Sequence, residues 1–200
     1  ASGLLIRSFS RLMGAESGVN ALNVLSVEIS LPYGGYNQAP RIRSFYQTLH
    51  DRLLSIPGVK AAVITTDLPL RADGERRAFA PEGADDSGGL RPSIALTWAH
   101  GNYFSTFGIP LIRGRNFTTE DDRQGADPVT LISERLWIRK FNSASDLVGK
   151  SITLDDRSYR VIGITPGTSR ESLRDVFVPL GAWPVPMLKN RSAALGLHGV

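Results

Sequence analysis

Apolar and polar residues alternate from Val24 to Leu31, where Leu25, Val27 and Ile29 occupy every second position. Successive side chains of a strand point to opposite faces of a sheet, so this period of two predicts a strand with one buried face. A stretch containing proline and glycine follows at 32–35. Both residue types interrupt regular structure, and we expect the strand to end there.

Residues 38–56 carry apolar side chains three or four positions apart, at Ile42, Phe45, Tyr46, Leu49, Leu53 and Ile56. This spacing predicts an amphipathic helix, which Pro57 and Gly58 end. A run rich in β-branched residues at 59–66 then predicts a second strand. Strand, helix and strand in this order form a βαβ-like unit. Its two strands pair in parallel, or a later strand enters between them.

The second part of the chain begins with a polar, glycine-rich stretch at 71–92, to which we assign no element. We place a lobe boundary near residue 70. Beyond it, apolar patterning predicts a mixture of short strands and helices. The strands are predicted near 93–99, 110–113 and 129–132, as a hairpin at 151–154 and 159–164, and at 175–180 and 193–199, and the helices at 102–107 and 133–141. A short amphipathic helix is also predicted at 1–13, and the fold class is α+β.

Composition narrows the function without naming it. The chain has 200 residues, a net charge of +4, 42% hydrophobic and 21% charged residues, and no cysteine. These values are typical of a globular protein and do not indicate nucleic-acid binding. The absence of cysteine excludes thiol catalysis, disulfides and cysteine-based zinc sites. No segment has the run of about 18 to 20 apolar residues that crosses a bilayer.

The segment from Ala144 to Ser151 is close to the phosphate-binding P-loop pattern, with alanine in place of the first glycine. A P-loop follows a strand and opens a helix, so that backbone N–H groups converge on the phosphate. Here a predicted helix precedes the segment and a predicted strand follows it. We therefore interpret Gly149 and Lys150 as a tight turn into that strand, and we expect no nucleotide site.

The three histidines, His50, His100 and His198, share neither a helix face nor a spacing typical of metal ligands. We expect them to be packed or solvated. The chain also lacks a Gly-x-Ser-x-Gly nucleophile motif, which gives a serine hydrolase no support.

Three pairs of aspartates, at 85–86, 121–122 and 155–156, have the chemistry of metal ligands or acid–base groups. Each pair lies in a predicted turn, where aspartate is common because it bonds nearby backbone. We interpret the pairs as turn residues. Thr118 with Asp121 further predicts an N-cap that opens one helical turn.

Aromatic residues cluster near one predicted helix, at Trp98, Tyr103, Phe104 and Phe107, and Trp137 and Trp183 flank later segments. Core packing is the ordinary role of such residues, and a partner surface is the alternative. We name no catalytic, cofactor-binding or metal-binding residue and no cofactor.

A series of short phrases extends over nearly the whole chain. They are Gly3–Phe9, Asn23–Leu25, Leu31–Pro32, Phe45–Tyr46, Ile56–Val59, Tyr103–Phe104, Gly108–Leu111, Arg113–Thr118, Leu147–Ile152 and Tyr159–Ile164. In this order they resemble the MacB-like periplasmic core domain of ABC-transporter permeases, which precedes an FtsX-like membrane region.

The resemblance implies a stalk helix at 1–20 that leaves a membrane helix, a porter-like βαβ lobe at 21–70 and 191–200, and an inserted mixed α/β lobe, called Sabre, at 71–190. It implies a location at the periplasmic face of the bacterial inner membrane. The implied partners are an ABC ATPase, a second permease copy and a periplasmic adaptor protein, and nucleic acid is not among them.

The resemblance further implies a non-enzymatic function: coupling of ATP-driven helix motion to export of cargo or to a periplasmic partner. The alternative is a stand-alone extracytoplasmic domain that binds or senses a small ligand between its lobes. A third class, an enzyme, rests only on scattered His, Ser and Asp residues.

Overall fold

The computed structural model describes residues 24–31, 38–66, 75–81, 92–100, 103–166, 174–182 and 192–199. These residues form a mixed α/β structure built on one hydrogen-bonded sheet. Its strands are β1 Val24–Ser30, β2 Val59–Thr65, β3 Glu75–Pro81, β4 Ser93–His100, β5 Arg113–Gly114, β6 Val129–Ser133, β7 Ser151–Leu154, β8 Arg157–Thr165, β9 Val176–Pro179 and β10 Ser192–Gly199. The helices are α1 Ala39–Leu54, α2 Tyr103–Thr106 and α3 Glu134–Phe141, and Leu180–Ala182 form a 3₁₀ turn.

The first region is an open sheet of β1, β10 and β2. β10 lies between the other two strands and is antiparallel to both. The βαβ-like unit is therefore split by a late strand, which decides between the two arrangements that the sequence left open. Val24 lies opposite His198, so β1 begins where β10 ends. Helix α1 contacts β2 and buries Ile42 and Tyr46.

The second region is a closed ring of six strands. β4 pairs with β3, and the pairing continues through β7, β8 and β6 to β9, which pairs back onto β4 in parallel. A single buried cluster draws side chains from all six strands, so these side chains fill the ring. They are Phe79, Ile94, Leu96, Trp98, Ile132, Ile152, Leu154, Tyr159, Val161, Ile164, Val176 and Val178.

The two ends of the ring differ. Helix α3 closes one end, where Phe141 packs edge-on against Phe79 with ring centroids 6.1 Å apart and Leu136 joins the ring cluster. Ser133 caps this helix by accepting a hydrogen bond from the Leu136 N–H at 3.2 Å. The 3₁₀ turn and the 155–156 hairpin turn lie at the other end, which we call the ring mouth.

A second core covers the outer face of the ring. Tyr103 and Phe104 of α2 and the nearby Phe107 contact Phe177 or one another edge-on or tilted, with centroids 4.8–5.6 Å apart. β4 is consequently buried on both faces from Ile94 to Ala99. The core-packing interpretation of the aromatic cluster, including Trp98 in the ring, is confirmed.

Most predicted elements are confirmed, but three predictions need correction. Residues 75–81, to which we assigned no element, form β3, because hydrogen bonds to β4 and β7 on its two sides hold this polar segment extended. Thr118 and Asp121 bond to each other, but residues 119–122 form a turn and not a helix. The predicted strand near 110–113 is the two-residue β5, Arg113–Gly114.

The helix predicted at 1–13 lies outside the described residues. Within the described ranges, no helix is both long and apolar enough to span a membrane.

Candidate functional site

The near-P-loop segment is a turn into β7. Gly149 has a φ of 101°, and its N–H donates to the Val161 carbonyl at 2.8 Å, which starts the pairing with β8. Lys150 Nζ lies 2.7 Å from Asp146 Oδ2. Its charge is thus matched within the turn, and the segment leads into a strand. The interpretation of Gly149 and Lys150 as a turn is confirmed.

Of the three histidines, the structure describes the side chain of His50. His50 Nε2 lies 3.1 Å from the Ala62 carbonyl oxygen. A carbonyl only accepts, so Nε2 carries the proton in this contact. The backbones of His100 and His198 lie in β4 and β10. Among the side chains that the structure describes, no group of three His, Asp or Glu residues is arranged to hold a metal ion.

The aspartate pairs at 121–122 and 155–156 act in turns, as interpreted. Asp155 and Asp156 form the β7–β8 hairpin turn with φ values of 45° and 65°, which match a type I′ turn. Asp155 also accepts a hydrogen bond from the Ala78 N–H at 3.0 Å. The pair at 85–86 lies outside the described residues.

The structure contains a buried cluster of charged residues that the sequence did not predict. Asp175, just before β9, accepts hydrogen bonds from Arg135 at 2.9 Å and Arg139 at 3.2 Å through Oδ1. Its Oδ2 accepts from the Ala95 N–H at 3.2 Å. The neighbouring Arg174 is fully buried and donates to Thr97. These bonds join α3 to β4 and β9, which is a structural role. Arg135 and Asp175 are 40 positions apart in the sequence, so a local spacing pattern does not predict that they pair.

A cleft lies between α1 and the segment 117–124, outside the ring. It comprises two adjoining cavities of about 400 Å³ each, which share Gln47, Thr119 and Asp122. One wall is α1 with the start of β2, and the other is 117–124 with the 3₁₀ turn. We call it the α1 cleft. The charges along it are mixed, with Arg43, Lys60 and Arg123 against Asp51 and Asp122.

The outer wall of the α1 cleft is braced by Asp121. Arg115 donates two hydrogen bonds to its carboxylate at 2.6 and 3.0 Å, and the Thr118 N–H donates a third at 2.8 Å. Partial burial on its own would raise the pKa of Asp121, but the bonds from Arg115 and Thr118 outweigh it and hold that pKa below the usual value. The carboxylate therefore stays ionised and keeps the turn in place.

Gly181 fixes the same wall to the ring mouth. Its N–H donates to Asp122 Oδ1 at 2.9 Å. A Cβ at this position would lie 1.8 Å from the Asp122 carbonyl oxygen, a distance that no side chain tolerates. Only glycine lets the 3₁₀ turn approach the 117–124 segment this closely. The outer wall therefore moves with the ring.

The inner wall belongs to the open sheet. Helix α1 rests on β2, and the His50 contact to Ala62 ties its second half to that strand. The α1 cleft thus separates a wall carried by the ring from a wall carried by the open sheet. The two regions are also joined, because β2 pairs with β4, and Ile42 and Tyr46 of α1 belong to the same buried cluster as the ring interior.

Comparisons with known proteins were made for sequence and for fold. The family model described as MacB-like periplasmic core domain matches residues 5–195. No curated protein sequence matches the chain significantly.

Two solved structures are similar in fold. The periplasmic region of MacB from Actinobacillus actinomycetemcomitans is 16% identical, with a TM-score of 0.61 over 94% of this chain and 79% of that one. The extracellular domain of the noncanonic ABC-type transporter YknZ from Gram-positive bacteria is also 16% identical, with a TM-score of 0.58 over 88% of this chain and 83% of that one. The resemblance found in the sequence is confirmed, and the chain belongs to the family of MacB-like periplasmic core domains of ABC-transporter permeases.

Proposed function

We propose that this domain lies on the periplasmic side of the membrane and transmits ATP-driven motion of permease helices to exported cargo or to a periplasmic partner, without catalysing a reaction itself. Family membership supports the permease context. The observation that carries the mechanical part is the pairing of Val24 with His198. It brings the two ends of the open sheet side by side, where two neighbouring membrane helices could both be joined to it.

The α1 cleft is where such motion would act. Motion delivered to β1 and β10 reaches α1 through the open sheet, whereas the outer wall is held by Asp121, Asp122 and Gly181 on the ring side. Relative displacement of the two regions would open or close the cleft as a hinge or shear motion. The division into a porter-like lobe at 21–70 with 191–200 and an inserted Sabre-like lobe at 71–190, with a stalk at 1–20, is part of this proposal.

The partners follow from the same proposal: an ABC ATPase, a second permease copy and a periplasmic adaptor protein. The cargo is not part of it, since no feature of the α1 cleft selects one chemistry.

The proposed location has a direct test in intact cells. The chain contains no cysteine, so Gln124→Cys in a full-length permease whose cysteines outside this chain are replaced by serine gives a single label site on an exposed residue. We expect a membrane-impermeant maleimide to label it from the periplasmic side. Labelling only after the inner membrane is made permeable would place the domain in the cytoplasm and refute the proposal.

The proposed motion is tested by distance measurement in the full-length permease reconstituted with its ATPase. Spin labels at Gln47→Cys and Gln124→Cys face each other across the α1 cleft. We expect their distance distribution to shift when ATP binds. The control pair is Gln124→Cys with Arg160→Cys, both on the ring side, whose distances stay constant. An unchanged distance for the first pair during ATP turnover would exclude coupling through this cleft.

A further inference from the structure

The ring mouth contains a pocket that the proposed function does not use. It has a volume of about 260 Å³ and lies between the hairpin turn and inward residues of β3, β4 and β8. Its lining is Arg77, Leu96, Trp98, Leu154, Asp155, Arg157 and Tyr159. Because α3 closes the opposite end of the ring, the pocket is a blind cup and not a channel.

Two arginines face the interior of the ring because side chains alternate between the two faces of a strand. Phe79 and Tyr159 point into the ring, so the residues two positions before them, Arg77 and Arg157, are on the same inward face. Arg157 is the first residue of β8, and on β3 Arg77 is followed towards the ring mouth by Glu75, which lies opposite Leu96. The sequence thus places a guanidinium group at the rim where the interior pattern would otherwise place an apolar side chain.

The two arginines are held differently. Arg77 Nη1 forms an ion pair with Asp155 at 2.9 Å and is largely buried. Arg157 is exposed, donates to the Ala182 carbonyl at 2.9 Å, and lies 5.4 Å from the centre of the Tyr159 ring. Arg157 is bound to a neutral carbonyl and forms no ion pair with any carboxylate among the described side chains, so its positive charge can be matched by an anion.

The floor of the pocket is apolar. Leu96, Trp98 and Leu154 are each 3% exposed or less. Burial raises the pKa of the Tyr159 phenol, so this group stays neutral and able to donate a hydrogen bond. The volume holds on the order of nine non-hydrogen atoms at about 30 Å³ each. An apolar cup of this size with a cationic rim is complementary to a short amphipathic anion.

We propose that the ring mouth binds a small carboxylate with a medium-length alkyl chain, with the chain on Leu96, Trp98 and Leu154 and the carboxylate on Arg157. Arg157 then exchanges its bond to the Ala182 carbonyl for a charge-assisted bond to the ligand, and Arg77 remains paired with Asp155. This site is separate from the α1 cleft and does not depend on the proposed transport function.

Calorimetric titration of the 200-residue chain with octanoate tests the proposal. We expect saturable binding, no binding of acetate, which lacks the chain, and no binding of octyltrimethylammonium, which has the opposite charge. Arg157→Gln should weaken octanoate binding about tenfold or more, because a charge-assisted hydrogen bond is lost. The matched control is Arg160→Gln, an exposed arginine on the same strand at an outward position, which should bind octanoate as the unaltered chain does.

Trp98 reports the place of binding. Octanoate should change the tryptophan emission of the unaltered chain, and Trp98→Phe should remove this change while calorimetric binding persists. Equal weakening by Arg157→Gln and Arg160→Gln would overturn the proposal, as would equal binding of octanoate and octyltrimethylammonium. An absence of octanoate binding to the unaltered chain, which requires no variant to fold, would also overturn it.

Discussion

The six-stranded ring and the open sheet of β1, β10 and β2 differ in whether the strands close on themselves. In the ring every strand has a partner on both sides, and Leu96 at its centre is 1% exposed. Among the described strands β1 is the edge of the open sheet, and its Leu25 and Val27 are 50% and 43% exposed. Closure removes edges and fills the interior, whereas an open edge keeps backbone groups and apolar surface for contact with other molecules. The ring is thus closed by backbone pairing, whereas the described edge of the open sheet leaves apolar side chains exposed.

The largest expected effect comes from truncating a leucine in each region and comparing the two losses in the free energy of unfolding. Leu96→Ala should lower the free energy of unfolding by about 2–5 kcal/mol, since it leaves a cavity inside the ring. Leu25→Ala, at the edge, should cost less than about 1 kcal/mol. Urea unfolding followed by circular dichroism measures both values. Similar losses for the two variants would show that the edge is as tightly packed as the ring.

The next effect concerns the charge cluster that joins α3 to the ring. Asp175→Ala leaves Arg135 and Arg139 without their carboxylate and removes the acceptor of the Ala95 N–H. We expect a loss of about 3 kcal/mol in the free energy of unfolding. The control is Asp127→Ala, at an exposed aspartate, which should change it by less than about 0.5 kcal/mol. Equal stability of the two variants would contradict a structural role for Asp175.

A smaller loss of stability is expected when the bonds that hold the outer wall of the α1 cleft are removed. Asp121→Asn should cost about 1–2 kcal/mol at pH 7 through the lost charge-assisted bonds from Arg115. Because folding lowers the pKa of Asp121, its contribution is complete above the unfolded pKa of about 3.9 and is lost as the pH falls through the lower folded pKa.

The stability difference between Asp121→Asn and the unaltered chain should therefore be constant from about pH 7 to pH 5 and shrink below about pH 4. Urea unfolding across this range measures it. Glu120→Gln, at the exposed neighbour, should show little difference at pH 7. A difference that grows in acid would mean that the Asp121 pKa is raised by folding.

The smallest effect is expected at the edge itself. Val27→Lys should change the free energy of unfolding by less than about 0.5 kcal/mol because the side chain is exposed. A lysine on an edge strand also opposes strand pairing between molecules. Sedimentation at high concentration should therefore show no more self-association than for the unaltered chain. A loss above about 1 kcal/mol would show that Val27 is covered in solution.

The two regions also differ in how far the sequence predicted them. The elements of the open sheet carry strong local patterns, so β1, α1 and β2 were predicted within a few residues. The position of β10 between β1 and β2 depends on pairing between residues more than 100 positions apart, and local periodicity contains no information on it.

In the ring, β3 was missed because Glu75, Arg76 and Arg77 interrupt the expected alternation. Arg77 points inward at the rim, and Arg76 bonds Ser93 on the neighbouring strand. Arg77, one of the residues that concealed the strand, also lines the pocket at the ring mouth. The outer wall of the α1 cleft was partly foreseen, since Thr118 and Asp121 do bond each other. Its attachment through Gly181 depends on close packing that no pattern shows.

The antiparallel pairing of β1 with β10 has a mechanical consequence. Val24 and His198 are the first register pair, and Ser30 and Ser192 are the last. A force that pulls residues 24 and 198 apart loads one pair at a time, so the strands unzip successively. A force that moves both residues in the same direction leaves the ladder intact and carries the whole body with it. The pairing of β1 with β10 therefore resists a force that pushes or tilts both strands together, but it separates when residues 24 and 198 are pulled apart.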